Sequence, residues 1–281
     1  MKKALLTGST GGLGGEIAQL LAEQGWDLIL LNRDKNQTEL QLQDLRASFP
    51  AQTFNSFIVD LMDMVDIRRV SGDVATAHPQ LDAIYNVAGL LTDKRIVSPQ
   101  GIEGHFALNT IAPYLLTQTL RPQLSAGATP ENPTFVANFS SSAVNSVKSL
   151  DVSKLVNPDR IGGLMDAYAK TKAALNVMAC FLKDDLAVDN IAIFSVDPGA
   201  TKTKMTTSSE GMPWFIKPLV PFLFGDPQKQ ARKLVNGVQL ALEKEKSGAF
   251  IANGKIKANP PIAHDEGTQN DLRELMDSLI S

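Results

Sequence analysis

The stretch Thr7-Gly8-Ser9-Thr10-Gly11-Gly12-Leu13-Gly14-Gly15 follows the apolar run Ala4-Leu5-Leu6 directly and leads into Ile17, Leu20 and Leu21 at helical spacing. Strand, glycine-rich turn and helix in that order set backbone N–H groups and a helix N-terminus against a pyrophosphate. Glycine suits positions where a Cβ would hold phosphates away. The spacing is T-G-x-x-x-G-x-G, through Gly8, Gly12 and Gly14, and departs from the commoner G-x-G-x-x-G. A merely flexible loop would not need this placement after an N-terminal strand.

Further strands follow at regular intervals: Asp27 to Asn32, Phe54 to Val59, Ala83 to Asn86, Phe135 to Phe139, Ile191 to Val196 and a weaker Ala249 to Ile251. Helical patterns separate them, so the expected fold is a single-domain α/β Rossmann fold: a doubly wound parallel sheet of about seven strands, with helices on both faces. Residues 1–281 read as one domain, with 1–140 mainly binding a cofactor and 141–281 carrying the chemistry. At the end of the second strand stands Asn32-Arg33-Asp34. An acid here accepts a ribose 2′-hydroxyl, whereas an arginine pairs with a 2′-phosphate, so Arg33 favours NADP(H) and leaves NAD(H) possible through Asp34. Asp60-Leu61 closes the third strand, where Asp60 either meets adenine or caps the next helix.

Composition removes other classes. A net charge of -3 with scattered Lys and Arg gives no field for nucleic acid. One cysteine, Cys180, excludes an internal disulfide and a cysteine metal cluster, and His78, His105 and His264 show no ligand spacing, so no metal is expected. No apolar run reaches the ~18 residues of a membrane span, and the N-terminus lacks an h-region, which points to a cytoplasmic protein.

The chemistry is sought at Tyr168-Ala169-Lys170-Thr171-Lys172. Residues four apart on a helix share a face, so the Tyr168 phenol and Lys172 ammonium would point into one space. A free phenol titrates near ~10, and a close cation favours its ionised form. Alone, Y-x-x-x-K is common. Ser140-Ser141-Ser142 stands at the carboxyl end of the fifth strand, the edge where open sheets bind ligands. Asn109 lies within a long helical pattern, where asparagine either has a task or merely faces solvent.

Together these motifs resemble the short-chain dehydrogenase/reductase family over nearly the whole chain: the glycine turn, Asp60, Asn86-Val87-Ala88-Gly89, Asn109, Ser141, Tyr168 with Lys172, and Pro198-Gly199 with Thr203. The resemblance implies that Tyr168 is the general acid or base and that Lys172 lowers its pKa and bonds the nicotinamide ribose. It implies that Ser141 polarises the substrate oxygen, with Ser140 or Ser142 as one-residue alternatives, and that Asn109 holds a relay water. Thr7, Gly8, Ser9, Thr10, Gly12, Leu13 and Gly14 would line the cofactor. Arg33, Asp60, Leu61 and Asn86 would meet its adenosine side, Ala88 and Gly89 would approach it, and Pro198, Gly199, Thr201 and Thr203 would meet the nicotinamide end.

The family's Asn-Asn-Ala-Gly is here Asn86-Val87-Ala88-Gly89, and the gap from Ser141 to Tyr168 is long, as in retinol-dehydrogenase-like and carbonyl-reductase-like members. Residues of about 205–227, rich in Met, Trp and Phe, fall where the family keeps its substrate loop and suit a hydrophobic carbonyl or alcohol. The expected activity is therefore NADP(H)-preferring hydride transfer to or from a small-molecule carbonyl or alcohol. The rivals are an NADP-binding sensor and an epimerase or dehydratase. A homo-oligomer, dimer or tetramer, is compatible with the family, as is a monomer.

Overall fold

Along the first strand the buried residues alternate in direction, and that alternation sets the layers. Leu5 joins Ile29, Ile84, Val136 and Ile193 on one side of the sheet, while Leu6 joins Leu28, Leu30, Ala137 and Phe194 on the other. Strands apolar on both faces need cover on both. The structure is a computed structural model that describes residues 1–158, 164–199 and 226–281.

The chain runs β1 (Lys3–Thr7), α1 (Gly12–Glu23), β2 (Asp27–Asn32), α2 (Lys35–Ser48), β3 (Phe54–Ile58), α3 (Met64–Ala77) and β4 (Ala83–Asn86). It continues through α4 (Gly104–Phe106), a π-helical turn (Ala107–Ile111), α5 (Ala112–Thr119), α6 (Arg121–Gly127) and β5 (Thr134–Phe139). After two short 3-10 turns come α7 (Leu164–Ala187), β6 (Ile191–Asp197), α8 (Pro227–Glu243), β7 (Phe250–Ala252), β8 (Lys255–Lys257) and α9 (Glu266–Ile280). Residues of α3, α5, α7 and α9 fill one core cluster. Those of α1, α2 and α8 fill the other.

The strand order is β3-β2-β1-β4-β5-β6-β7-β8. The sheet therefore has eight strands where about seven were expected, and β8 pairs antiparallel with β7. The extra strand, Lys-Ile-Lys, has no apolar run; a turn through Asn253 and Gly254, both at positive φ, folds it back. Paired positive φ values are what a two-residue hairpin turn demands, and Asn-Gly supplies them readily. The chain reverses direction across the sheet between β1 and β4, which opens the crevice at their carboxyl ends. Asp34 caps α2 by accepting from Gln37 N, and Asp63 caps α3 by accepting from Val65 N. The cap on α3 is thus Asp63 and not Asp60.

Candidate active site

Close packing at β1 explains its glycines. Gly8 sits at φ 69°, and a Cβ there would lie 2.9 Å from Ala88 Cα, so the turn rests directly on the end of β4. A Cβ on Gly14 would meet the Gly8 carbonyl oxygen at 2.2 Å, which presses α1 onto the turn. Gly11 stands at the N-cap of α1 without a side-chain cap, and the first turn holds no acid. The leading N–H groups and the positive end of the helix are therefore presented to an anion. This cradle fits a dinucleotide pyrophosphate. Leu13 is buried and anchors α1 beside it, next to Gly12 at φ 52°.

Side chains fix the cradle in place. Thr7 Oγ1 accepts from Ala88 N at 3.1 Å, joining β1 to the segment after β4. Buried Ser9 donates its N–H to Asn32 Oδ1 at 2.9 Å and its hydroxyl to Gln41 Oε1 at 2.8 Å, while Gln41 Nε2 donates to the Ser9 carbonyl at 2.7 Å. Thr10 is half-buried on the same turn, and Arg33 is exposed just beyond Asn32. Half-buried Asp60 turns its Oδ1 to Met62 N at 2.9 Å, and Leu61 is buried beside it. The Asn86 side chain points into the sheet, where its Nδ2 donates to Asn138 Oδ1 at 2.8 Å. It braces β4 against β5. Ala88 carries the backbone that meets the turn, and Gly89 follows it.

On the same sheet edge, β5 and α7 bring the reacting groups together. Ser141 faces the Tyr168 phenol closely enough to favour its ionised form, and Ser141 Oγ accepts from Ala143 N at 3.2 Å. Ser140 is buried and donates instead to Asn176 Oδ1 at 2.6 Å, while Ser142 is exposed at the start of a 3-10 turn. Of the three serines, Ser141 is the one that acts on Tyr168.

Lys172 lies beneath the phenol with its Nζ 5.8 Å from the Tyr168 ring centroid, and it donates to the Phe139 carbonyl. Burial lowers its pKa to about 7. Tyr168 is raised by burial, pulled down by Ser141, and pushed up again by nearby Asp197. Burial also raises Asp197, against the N–H groups of Gly199 and Ser142 that favour its charged form. A neutral phenol facing a serine hydroxyl can pass a proton to an oxygen held between them.

Asn109 occupies the π-helical turn, buried. Its Oδ1 accepts from Leu90 N at 2.7 Å and its Nδ2 donates to the Leu90 carbonyl at 3.0 Å, with Thr171 Oγ1 at 3.3 Å. The Asn109 side chain thus ties the segment after β4 to α7, beside Lys172. A relay water near Asn109 would have to be held by backbone, and π turns take carbonyls out of the i to i+4 ladder.

Pro198 and Gly199 follow β6, where the Pro198 carbonyl accepts from Gln230 Nε2 at 2.6 Å. Thr201, Thr203 and residues 205–225 of the expected substrate loop lie outside the described residues. Four residues of the site were not anticipated: Asn32 and Gln41 on Ser9, Asn176 on Ser140, and Asp197 near Tyr168. A signal existed for two of them. Asp197 closes a buried strand at the ligand edge, and Asn176 stands one helical turn beyond Lys172.

The sequence profile described as short chain dehydrogenase matches residues 2–147. Retinol dehydrogenase 13 of Homo sapiens is 26% identical over 273 residues, 94% of this chain and 80% of that protein. Polyprenol dehydrogenase of Mus musculus is 26% identical over 276 residues, covering 96% and 81%. Among solved structures, the NADPH-bound carbonyl reductase from chicken fatty liver superposes with a TM-score of 0.69 at 24% identity, over 92% of this chain and 99% of that one. The Pseudomonas aeruginosa RhlG/NADP active-site complex gives 0.69 at 23%, over 89% and 94%. Among the described residues no helix is long and apolar enough to cross a membrane. With the profile spanning half the chain, and relatives that include retinol dehydrogenases, the protein belongs to the short-chain dehydrogenase/reductase family of nicotinamide-dependent oxidoreductases, on its retinol-dehydrogenase-like side.

Proposed function

We propose that this chain is an NADP(H)-preferring reductase or dehydrogenase for an apolar carbonyl or alcohol, with Tyr168 as proton carrier. The observation that carries the reading is the Ser141–Tyr168 hydroxyl pair above buried Lys172, on the same sheet edge as the glycine cradle. Bound nicotinamide would supply or accept the hydride. In the reductive direction Ser141 and Tyr168 bond the carbonyl oxygen, the C=O electron pair moves onto that oxygen, and Tyr168 gives it the phenolic proton. In oxidation Tyr168 takes the proton back. Lys172, with its Nζ 5.8 Å from the Tyr168 ring centroid, is the group we assign to the nicotinamide ribose.

The end of β2 supports NADP(H). Asn32 Oδ1 is engaged by the N–H and hydroxyl of Ser9, so that amide oxygen is not an open acceptor for a 2′-hydroxyl, and Asp34 Oδ1 caps α2 by accepting from Gln37 N. Exposed Arg33 stands beside them, suited to a 2′-phosphate. Relatives named for retinol and polyprenol, both long apolar alcohols, favour an apolar substrate. We place the enzyme in the cytoplasm. The test is NADPH oxidation, followed at the nicotinamide absorbance, with aromatic, aliphatic and isoprenoid aldehydes and ketones. Tyr168→Phe is expected to lower turnover at least about 1,000-fold and to keep NADPH binding. NADPH binding by the wild type without turnover on the whole panel would argue for a cofactor sensor and against this reading.

A further inference from the structure

The segment between β4 and α4 is gathered at a buried pair that the chemistry above does not use. His105 and Glu103 are almost fully enclosed, with relative exposures of 0% and 4%. Thr92 donates its backbone N–H to His105 Nε2 at 3.2 Å. An amide N–H can only donate, so Nε2 must accept, the proton sits on Nδ1, and Nδ1–H donates to Glu103 Oε1 at 2.7 Å. The other carboxylate oxygen accepts from Phe106 N at 3.0 Å, the N-cap bond of α4. Every polar atom of the imidazole is in use.

More than one loop meets here. Glu103 N donates to the Val156 carbonyl at 2.8 Å, Glu103 bridges to Val97, and Gly104 N donates to the Ile96 carbonyl at 2.8 Å. Arg95 adds a bond to Asn157 Oδ1 at 2.6 Å. The segment after β4 and the long excursion after β5 both leave the carboxyl edge of the sheet, and both are tied to this pair. Leu90, two residues before Thr92, is held on both its backbone groups by Asn109, four residues after His105. The loop is therefore pinned twice by one side of the helix, once beside the reacting groups and once further out.

We propose that His105, oriented by Glu103, is a positioning residue that holds the β4–α4 segment and residues 151–158 after β5 as one wall of the substrate path. The proposal rests on the oxidoreductase reading for its kinetic consequence and on geometry alone for its structural one. A tie at the outer pin, away from the glycine cradle and from Tyr168, acts on substrate fit and leaves hydride and proton transfer intact.

The test compares the full-length wild type with His105→Gln, which retains one donor and one acceptor, and His105→Leu, which retains neither. Amide hydrogen exchange reads the loops, NADPH titration reads the cofactor site, and steady-state kinetics uses the best carbonyl from the panel. In His105→Leu, exchange over residues 90–97 and 151–158 is expected to quicken about tenfold or more, and KM to rise about fivefold to twentyfold, with kcat and NADPH affinity within about twofold. His105→Gln is expected to restore both. If His105→Leu does not fold, Glu103→Gln serves as the second variant, with faster exchange over the same segments. Unchanged exchange overturns the junction. Faster exchange with unchanged KM, or with NADPH binding weakened in step with KM, overturns the role on the substrate path. A protein that turns over no carbonyl sinks the enzymatic reading, while the exchange result still decides the junction.

Discussion

Lys172→Met is expected to stabilise the protein, in the absence of nucleotide, while abolishing its turnover. The ammonium is buried, and its recorded bond is to a neutral carbonyl, that of Phe139. Burial takes its pKa from 10.5 to about 7. At about 1.4 kcal/mol for each pH unit between those values, keeping the ion inside costs up to about 5 kcal/mol. Below about pH 7 both folded and unfolded chains carry the proton, and the full cost applies. Between about 7 and 10.5 the unfolded chain binds a proton that the folded chain lacks, so wild-type stability rises with pH by about 1.4 kcal/mol per unit. Methionine has a similar length and no charge, and it leaves one carbonyl without its donor at a cost of about 1 kcal/mol.

The net gain at pH 6 is therefore expected between about 1 and 4 kcal/mol, shrinking as pH rises. Urea unfolding of both proteins at pH 6, 8 and 9.5, with unchanged slope against denaturant, reads the difference. A variant less stable than wild type at pH 6, or a gap that stays constant across the range, would refute the reasoning. Turnover should fall because the amine assigned to the nicotinamide ribose beside Tyr168 is then gone.

Three further changes probe separate parts of the site. Gly14→Ala forces a Cβ to within 2.2 Å of the Gly8 carbonyl oxygen, so NADPH affinity should fall at least about tenfold and stability by about 1–3 kcal/mol, read by titration and urea unfolding. Ser141→Ala removes the hydroxyl that lowers the Tyr168 pKa; kcat should drop about 100- to 1,000-fold with NADPH binding intact, and the residual pH profile should move upward, whereas a downward move would contradict the assignment. Arg33→Asp should weaken NADPH by about tenfold or more while NADH holds or improves, and equal losses for both would remove Arg33 from cofactor choice.

Features fixed by local chemistry were legible in the sequence. The glycine turn, the strands from β1 to β6 and the Tyr168–Lys172 spacing each follow from residues within one turn or one strand. The eighth strand was missed because apolar runs were the guide, and Lys255-Ile256-Lys257 has none; its turn through Asn253-Gly254 carried the signal. Asn109 shows the opposite limit. An asparagine in a helical pattern can be noticed, but the π turn around it depends on Leu90 and Thr171, which are distant in sequence. The Ser9 clamp is similar, since Gln41 faces Ser9 only once α2 has packed against β2 and β3.

Strand alternation also explains why Val87 can replace the second asparagine of the family pattern. Asn86 faces the side of the sheet that α7 covers and there bonds Asn138, its register partner on β5. Val87, one residue on, packs against the opposite cluster, which contains Leu13 and Ile17 of α1. The departure therefore exchanges a polar group for an apolar one on the face behind the cofactor cradle, where burial of a branched side chain is favourable. The brace that aligns the carboxyl ends of β4 and β5 lies on the other face and keeps its amide. Because β4 carries the backbone against Gly8 and β5 leads into Ser141, that brace sets the distance between the cofactor cradle and the reacting hydroxyls. The sequence departs from its family where only packing is needed and conforms where the two halves of the site must stay in register.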